Sequence, residues 1–350
     1  MSKKSKSNFF KILALIGILF FFASAFTVYK AYKILYKANV VLNDKKSVYF
    51  YINTGSHYAE VLEKLSSEKI ISDPKTFEWL SDYKNYKSNI KPGKYLITNG
   101  MNNNELINML LSGRQEPVKL VFNNVRTKYQ LAGKIAKQIE ADSSQIIATL
   151  KDTVLLTKFN LTKENAIGIF IPNTYEIYWN TSAYQLIERM YKEYRQFWTT
   201  SREEKAEKMK LSPIHVIILA SIVQEETRKY DEMSKVAGLY LNRIHQGMKL
   251  EADPTVKFAI GDFTLKRILN KHLEFYSPYN TYKIKGLPPG PISLPDSRVI
   301  DRVLNYDKHD FIYMCAKEDF SGYHNFAKTY SEHIVNARKY QNALNRLKIK

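Results

Sequence analysis

A single cysteine, Cys315, stands in the 350 residues, so no intramolecular disulfide and no multi-cysteine metal site can form. Acids are also scarce: 34 Asp and Glu against 53 Lys and Arg leave a formal net charge of +19. Such an excess attracts polyanions and anionic surfaces. No paired-cysteine, paired-histidine finger spacing, RNP-type aromatic motif or basic zipper occurs, however, and the lysines are scattered rather than gathered into a stripe. A nucleic-acid partner is therefore not expected. His324 and His333 have no third ligand at metal spacing, so neither a metal nor a cofactor is expected. Cys315 ends the apolar, strand-like run Phe311-Ile312-Tyr313-Met314-Cys315 and reads as a core residue. The length suffices for two or three domains with a sizeable core.

Residues 12–29 form an uncharged apolar run of about eighteen residues, close to the lower limit for crossing a bilayer core. The run reads as one transmembrane helix, with 1–11 as a short cytoplasmic segment and 30–46 as a linker. Lys3, Lys4, Lys6 and Lys11 precede it while Lys30, Lys33 and Lys37 follow, so charge favours an internal N-terminus only weakly. Ala23-Ser24-Ala25 resembles a signal-peptide cleavage site, the alternative reading. The apolar run continues past it through Phe26-Thr27-Val28-Tyr29, which favours an uncleaved anchor. Either reading places the residues beyond about 38 outside the cytoplasm.

Further on, the pattern is α+β. Residues 47–52 have strand chemistry, 58–65 show helical spacing, Asp73-Pro74 caps a helix over 75–80, and Pro92-Gly93 turns the chain into a strand at 94–97. This strand–helix–helix–strand order resembles the small LysM-type glycan-binding module, here taken as 47–123. A helix over 104–111, a strand over 118–122 and a helix over 127–140 follow. Residues 170–176 read as an irregular aromatic loop in an otherwise helical stretch, and 124–350 as one mixed α+β catalytic domain.

The most informative stretch is 212–227. Ser212 is a good N-cap and Pro213 suits the first helical position. Residues 214–223 are apolar nearly all round, as in a helix enclosed by other elements. Gln224-Glu225-Glu226-Thr227 follow abruptly. On a helical wheel Glu226 falls among Leu219, Ile222 and Val223, whereas Glu225 lies about a quarter-turn aside. Burial raises a carboxyl pKa, and an acid that keeps its proton near neutrality can protonate a leaving oxygen. The plainer alternative is that both glutamates end a core helix in solvent.

Another helix is expected over 236–244, and Gly247 breaks the chain before Asp253-Pro254. Asp253 either starts a turn or caps the next helix, or it supplies a second carboxylate facing Glu226. Tyr279-Asn280-Thr281-Tyr282, with the rigid Gly286-Leu287-Pro288-Pro289-Gly290-Pro291-Ile292, looks like the wall of a polar cleft in which phenols stack on sugar faces and Asn and Thr reach hydroxyls. Gly322-Tyr323-His324-Asn325-Phe326 precedes a long helix over 329–347. Candidate substrate-binding residues are Gln224, Asp253, Tyr279, Asn280, Tyr282, His324 and Asn325.

The strings Leu219-Ala220-Ser221-Ile222-Val223-Gln224-Glu225-Glu226-Thr227, Leu241-Asn242-Arg243, Met248-Lys249-Leu250, Asp253-Pro254-Thr255-Val256, the two Tyr/Pro segments and His324-Asn325-Phe326 together resemble the YceG-like endolytic murein transglycosylases. The resemblance implies a single catalytic acid/base, the glutamate before the threonine, which falls on Glu226. It implies cleavage within peptidoglycan glycan strands at the bond between N-acetylmuramic acid and N-acetylglucosamine, leaving 1,6-anhydro ends. It also implies a bacterial inner-membrane location with the catalytic domain outside, and cell-wall synthases as candidate partners. Where the family commonly has a glutamate, this chain has Gln224, and both acids of the family's Glu-Gly-aromatic…Pro-Asp-Thr loop are missing from 167–174. A hydrolase using Glu226 with Asp253, and a non-catalytic wall-binding scaffold, are the rival readings.

Overall fold

The computed structural model describes residues 3–265 and 267–347. Residues 1–2 of the expected cytoplasmic segment, and 266 and 348–350 of the expected catalytic domain, lie outside the described residues. Two compact units are present, one of residues up to 118 with 176–180, the other of 119–175 with residues from 181 on.

In the first unit α1 (Lys3–Tyr36) contains one stretch, Lys11–Tyr36, long and apolar enough to cross a membrane, its most apolar window having mean hydropathy 2.4 and no buried residue. The expected linker at 30–46 is corrected. Its first part continues α1, and Val40 and Leu42 are then buried while Ala38 and Val40 bridge to Asn102 and Ile71. Asn39 pins this entry, donating to Asn103 Oδ1 at 2.7 Å and accepting from the Asp73 N–H at 2.7 Å. β1 (Ser47–Ile52), α2 (Tyr58–Ser67), α3 (Pro74–Tyr83), β2 (Gly93–Thr98) and α4 (Asn103–Ser112) follow. β1 and β2 pair antiparallel from Ser47 with Thr98 to Ile52 with Gly93. Alternation turns Phe50, Ile52, Tyr95 and Ile97 onto Leu65, Phe77, Leu80 and Leu106, all buried. Each such side chain contributes roughly 1.5–3 kcal/mol.

The chain continues through β3 (Val118–Val121), α5 (Lys128–Ile135), α6 (Ser143–Thr149), α7 (Thr153–Lys158) and β4 (Thr174–Ile177), with β3 and β4 paired as a two-stranded sheet. Two expectations fail here. α5 stops at Ile135, not at residue 140, because the Gln138 side chain leaves the helical pattern to bond Val121 through both its N–H (2.9 Å) and its carbonyl (2.8 Å). The aromatic loop contributes β4, whose alternation buries Tyr175 and Ile177.

α8 (Ala183–Phe197), α9 (Thr200–Lys208), α10 (Pro213–Glu226), α11 (Met233–His245), α12 (Asp253–Ile260), α13 (Asn270–Leu273), α14 (Ser297–Leu304), a β5–β6 hairpin (Tyr313–Ala316, His324–Ala327) and α15 (Tyr330–Arg346) complete the second unit. α10 is its axis. Ser212 caps it, accepting from the His215 N–H, and Pro213 stands at N1. Val216 through Val223 are buried among α9, α11, α12 and α14. The Ser221 hydroxyl, buried in mid-helix, bonds its own turn at Ile218 O and accepts from the Ile292 N–H at 3.0 Å. That contact straps the 286–292 segment on α10, and Ile292 borders a polar cavity other than the one Glu226 faces. Gly290 is needed there because a Cβ would stand 2.1 Å from Glu164 O.

Candidate active site

Glu226 is the last residue of α10, and its carboxyl opens into a cavity of roughly 430 Å³. The cavity is formed by α10, α11, the turn into α12, Tyr282 and the β5–β6 hairpin. The residue is half-buried by surface, since one side faces the cavity, but protein encloses it otherwise. Burial pushes the carboxyl above its ordinary value, the charge of His324 and the hydroxyl of Tyr240 pull it back, and the charge of Asp253 pushes it up again. Tyr240, buried on α11, donates to Glu226 Oε2 at 3.0 Å.

His324 lines the same cavity from β6. Its backbone N–H donates to Glu232 Oε1 at 2.8 Å, and its Nδ1 lies 2.8 Å from Glu232 Oε2, which also accepts from the Thr227 hydroxyl at 3.2 Å. Burial alone would lower the imidazole, but the bond and charge of Glu232 outweigh it and hold His324 above its ordinary value. Burial works to raise Glu232; the His324 bonds reverse this and hold it low. The outcome favours an imidazolium–carboxylate pair beside Glu226.

Asp253 also lines this cavity. It does not cap α12: the cap position is Ala252, and the Asp253 carboxylate makes no capping bond. It accepts instead from the Tyr282 hydroxyl at 2.7 Å. The expected turn or capping role is thus corrected in favour of a place facing the cavity with Glu226.

The other expected residues stand elsewhere. Asn280 is wholly buried, its amide spent on Leu273 O and Phe275 O at 3.0 and 2.6 Å, so it cannot reach a sugar hydroxyl. Tyr279 packs on Phe258, ring centroids 4.8 Å apart, outside the Glu226 cavity. Asn325 donates to Glu318 Oε2 at 2.7 Å and does not line the cavity. The Gln224 amide accepts from the Asp296 N–H at 2.7 Å and borders a different cavity. Glu225 borders that one too, paired with Arg126 at 2.8 Å.

Sequence reasoning missed Tyr240, Glu232, Arg243 and Glu251. Tyr240 shares with Val236 the buried face of α11, where a phenol needs a partner; that was the available signal. Buried Arg243 donates to Ile312 O (2.8 Å), Leu250 O (2.6 Å) and Glu251 Oε2 (3.0 Å), tying together three stretches of the cavity lining. Cys315 is corrected from core to lining: it is half-buried and borders the cavity.

A shielded carboxyl carrying a phenol donor, opening into a polar cavity beside a histidine–carboxylate pair, is the site of an enzyme working by acid–base chemistry. The chain belongs to the YceG-like family, which it matches over residues 50–339. It is 30% identical to an endolytic murein transglycosylase of Bacillus subtilis, over 87% of each chain. An endolytic murein transglycosylase of Streptococcus pneumoniae serotype 2 is 26% identical over 86% of this chain, which spans 60% of that relative's length. A crystal structure of a yceG-like protein from Listeria monocytogenes, 28% identical, superposes with a TM-score of 0.54 over 83% of this chain and 99% of its own.

Proposed function

We propose that this protein is a membrane-anchored lytic transglycosylase that cuts peptidoglycan glycan strands internally at the β-1,4 bond between N-acetylmuramic acid and N-acetylglucosamine, trimming or ending nascent strands. The observation that carries the reading is Glu226, a carboxyl whose burial favours its protonated form while one face stays open to the cavity. Protonated Glu226 gives its proton to the glycosidic oxygen as the bond to C1 breaks. The carboxylate so formed then takes the proton of the muramoyl 6-hydroxyl, whose oxygen bonds to C1 and closes a 1,6-anhydro ring. Glu226 ends as it began, and no water is consumed. Tyr240 and the His324 imidazolium stabilise the intervening carboxylate.

One observation favours a second reading, hydrolysis: Asp253 lines the same cavity and is a candidate base or nucleophile. Product mass separates the two. Cleavage of purified strands in labelled water should give anhydro-muramoyl ends one water lighter than hydrolytic products; reducing ends carrying label at C1 would establish the hydrolase.

The same proposal takes α1 as an uncleaved single-pass anchor in the bacterial cytoplasmic membrane, with the site on the outer side. The β1–α2–α3–β2 unit serves as a LysM-like glycan holder, supported by its strand–helix–helix–strand order, and cell-wall synthases are the expected partners.

A further inference from the structure

A second cavity of roughly 440 Å³ lies in the same unit, on the other side of the α10 end and the α12 start. Neighbours in sequence divide between the two: Glu226 and Asp253 border the first, Glu225 and Pro254 the second. They differ in how their charges are paired. The Glu226 cavity holds the acid with Glu251 and Asp253, and its cations are taken up by carboxylates, Arg243 by Glu251 at 3.0 Å and His324 by Glu232 at 2.8 Å. The second is bordered by Arg126, Arg228 and Lys257 against the single carboxylate of Glu225. Glu225 neutralises Arg126 at 2.8 Å, and the Arg126 guanidinium lies 4.8 Å over the Phe263 ring. Among the described residues neither Arg228 nor Lys257 has a carboxylate within ion-pair distance, although Lys257 is close enough to Glu226 for its charge to act there.

A glycan strand whose muramoyl residues bear carboxylates finds no unpaired cation in the Glu226 cavity, where Arg243 and His324 are held by Glu251 and Glu232 and Asp253 repels a like charge. The muramoyl carboxylates need a cationic recess near the scissile bond. We propose that the Arg126–Arg228–Lys257 cavity is a subsite for the anionic substituent on the muramoyl 3-oxygen, the carboxylate of the lactyl ether or of the peptide it carries. The inference rests on the transglycosylase reading and adds to it the chemical feature by which the strand is set in register. Arg228 and Lys257 hold the carboxylate, while the Arg126–Glu225 pair shapes the wall and keeps Glu225 from competing for those cations. Bound there, the anion fixes which bond lies over Glu226, so the site would read strands by charge as well as by sugar.

The test uses the full chain in detergent carrying Glu226→Gln, which binds without cutting. Calorimetric affinities are measured for three strand fragments: peptide-bearing, peptide-stripped with free lactyl carboxylates, and stripped with those carboxylates converted to amides. The amidated fragment should bind about ten- to a hundredfold more weakly than a carboxylate-bearing one, the worth of a charged hydrogen bond. Adding Arg228→Gln or Lys257→Gln should erase that difference. Arg228 is exposed, so its replacement leaves packing intact. If the stripped fragment keeps the preference, the lactyl carboxylate is the ligand; if only the peptide-bearing one shows it, the peptide carboxylate is. Equal affinity for all three fragments, or a preference untouched by both substitutions, overturns the proposal. Cleavage by the unsubstituted enzyme is scored separately: strands cut at equal rates with and without carboxylates would sink the subsite and leave the transglycosylase reading standing, and strands never cut would do the reverse.

Discussion

The Tyr240 hydroxyl donates to Glu226 Oε2 across 3.0 Å, joining the middle of α11 to the last residue of α10. A donor of this kind favours the ionised carboxyl and so works against burial, the larger influence. Both stages of the proposed reaction use this balance, because Glu226 must hold a proton and then stand as a carboxylate. Tyr240→Phe removes the donor, so Glu226 should keep its proton to higher pH. The alkaline limb of kcat/KM should move upward while the maximum falls about tenfold, the effect of one charged hydrogen bond. A limb that stays in place would show that Tyr240 does not act through Glu226.

Glu226→Gln should abolish turnover, by at least about a hundredfold, the usual contribution of a general acid–base. The fold should survive, since the amide fills the same volume. Stability gives an independent check. A carboxyl raised on folding contributes fully below its unfolded value, near 4.5, and that contribution is lost as pH rises through the folded value. The variant should therefore melt at or above the parent at pH 7, with the gap closing below about pH 4. Near-normal turnover in Glu226→Gln, with Glu225→Gln inactive, would reassign the acid.

Asp253→Asn should act on the same limb in the opposite direction to Tyr240→Phe. The Asp253 charge helps to raise Glu226, so removing it should let Glu226 ionise at lower pH and shift the alkaline limb down. The products should keep their anhydro ends. A change of product from anhydro to reducing ends, or a loss of turnover as deep as that of Glu226→Gln with the limb of the residual activity unshifted, would make Asp253 a reacting group.

Glu232→Gln should lower the pKa of His324, read from the ring C–H shift by NMR, because Glu232 is what holds the imidazole above its ordinary value. His324's share of stability is complete below about 6.5 and is lost as pH rises through its raised folded value; Glu232's share is present above about 4.5 and is lost as pH falls through its lowered one. The destabilisation, roughly 1–3 kcal/mol, should thus peak between those values. An unmoved His324 titration would mean that the pair is held by packing alone.

Much of this was legible in local sequence. α10 and its cap followed from Ser212-Pro213 and the apolar run, and the direction of Glu226 from helical period alone. The β1 and β2 strands were read to within a residue at each end because alternation and turn residues mark them. What failed was non-local. Asn280 has the chemistry of a sugar ligand, but its fate was decided by two carbonyls at Leu273 and Phe275 that no spacing announces. Asp253 before a proline has the appearance of a cap, yet the α12 start falls one residue earlier and frees the carboxylate for Tyr282. Gln138 could not be read as a strand partner for Val121 without knowing that the two meet.

Arg243 binds carbonyls at Leu250 and Ile312, and His324 comes to Glu232 from ninety-two residues further along the chain. The surroundings of Glu226 are thus contributed by segments synthesised long after it, and contacts of such sequence separation form late in folding. A chain cut short before Tyr282 would carry its acid on α10 without the imidazolium, the phenolic neighbours from 282 onward or the hairpin wall. The acid and the setting that its proposed chemistry needs are therefore made at different times, and a product truncated ahead of the hairpin would hold the first and be inert toward glycan strands.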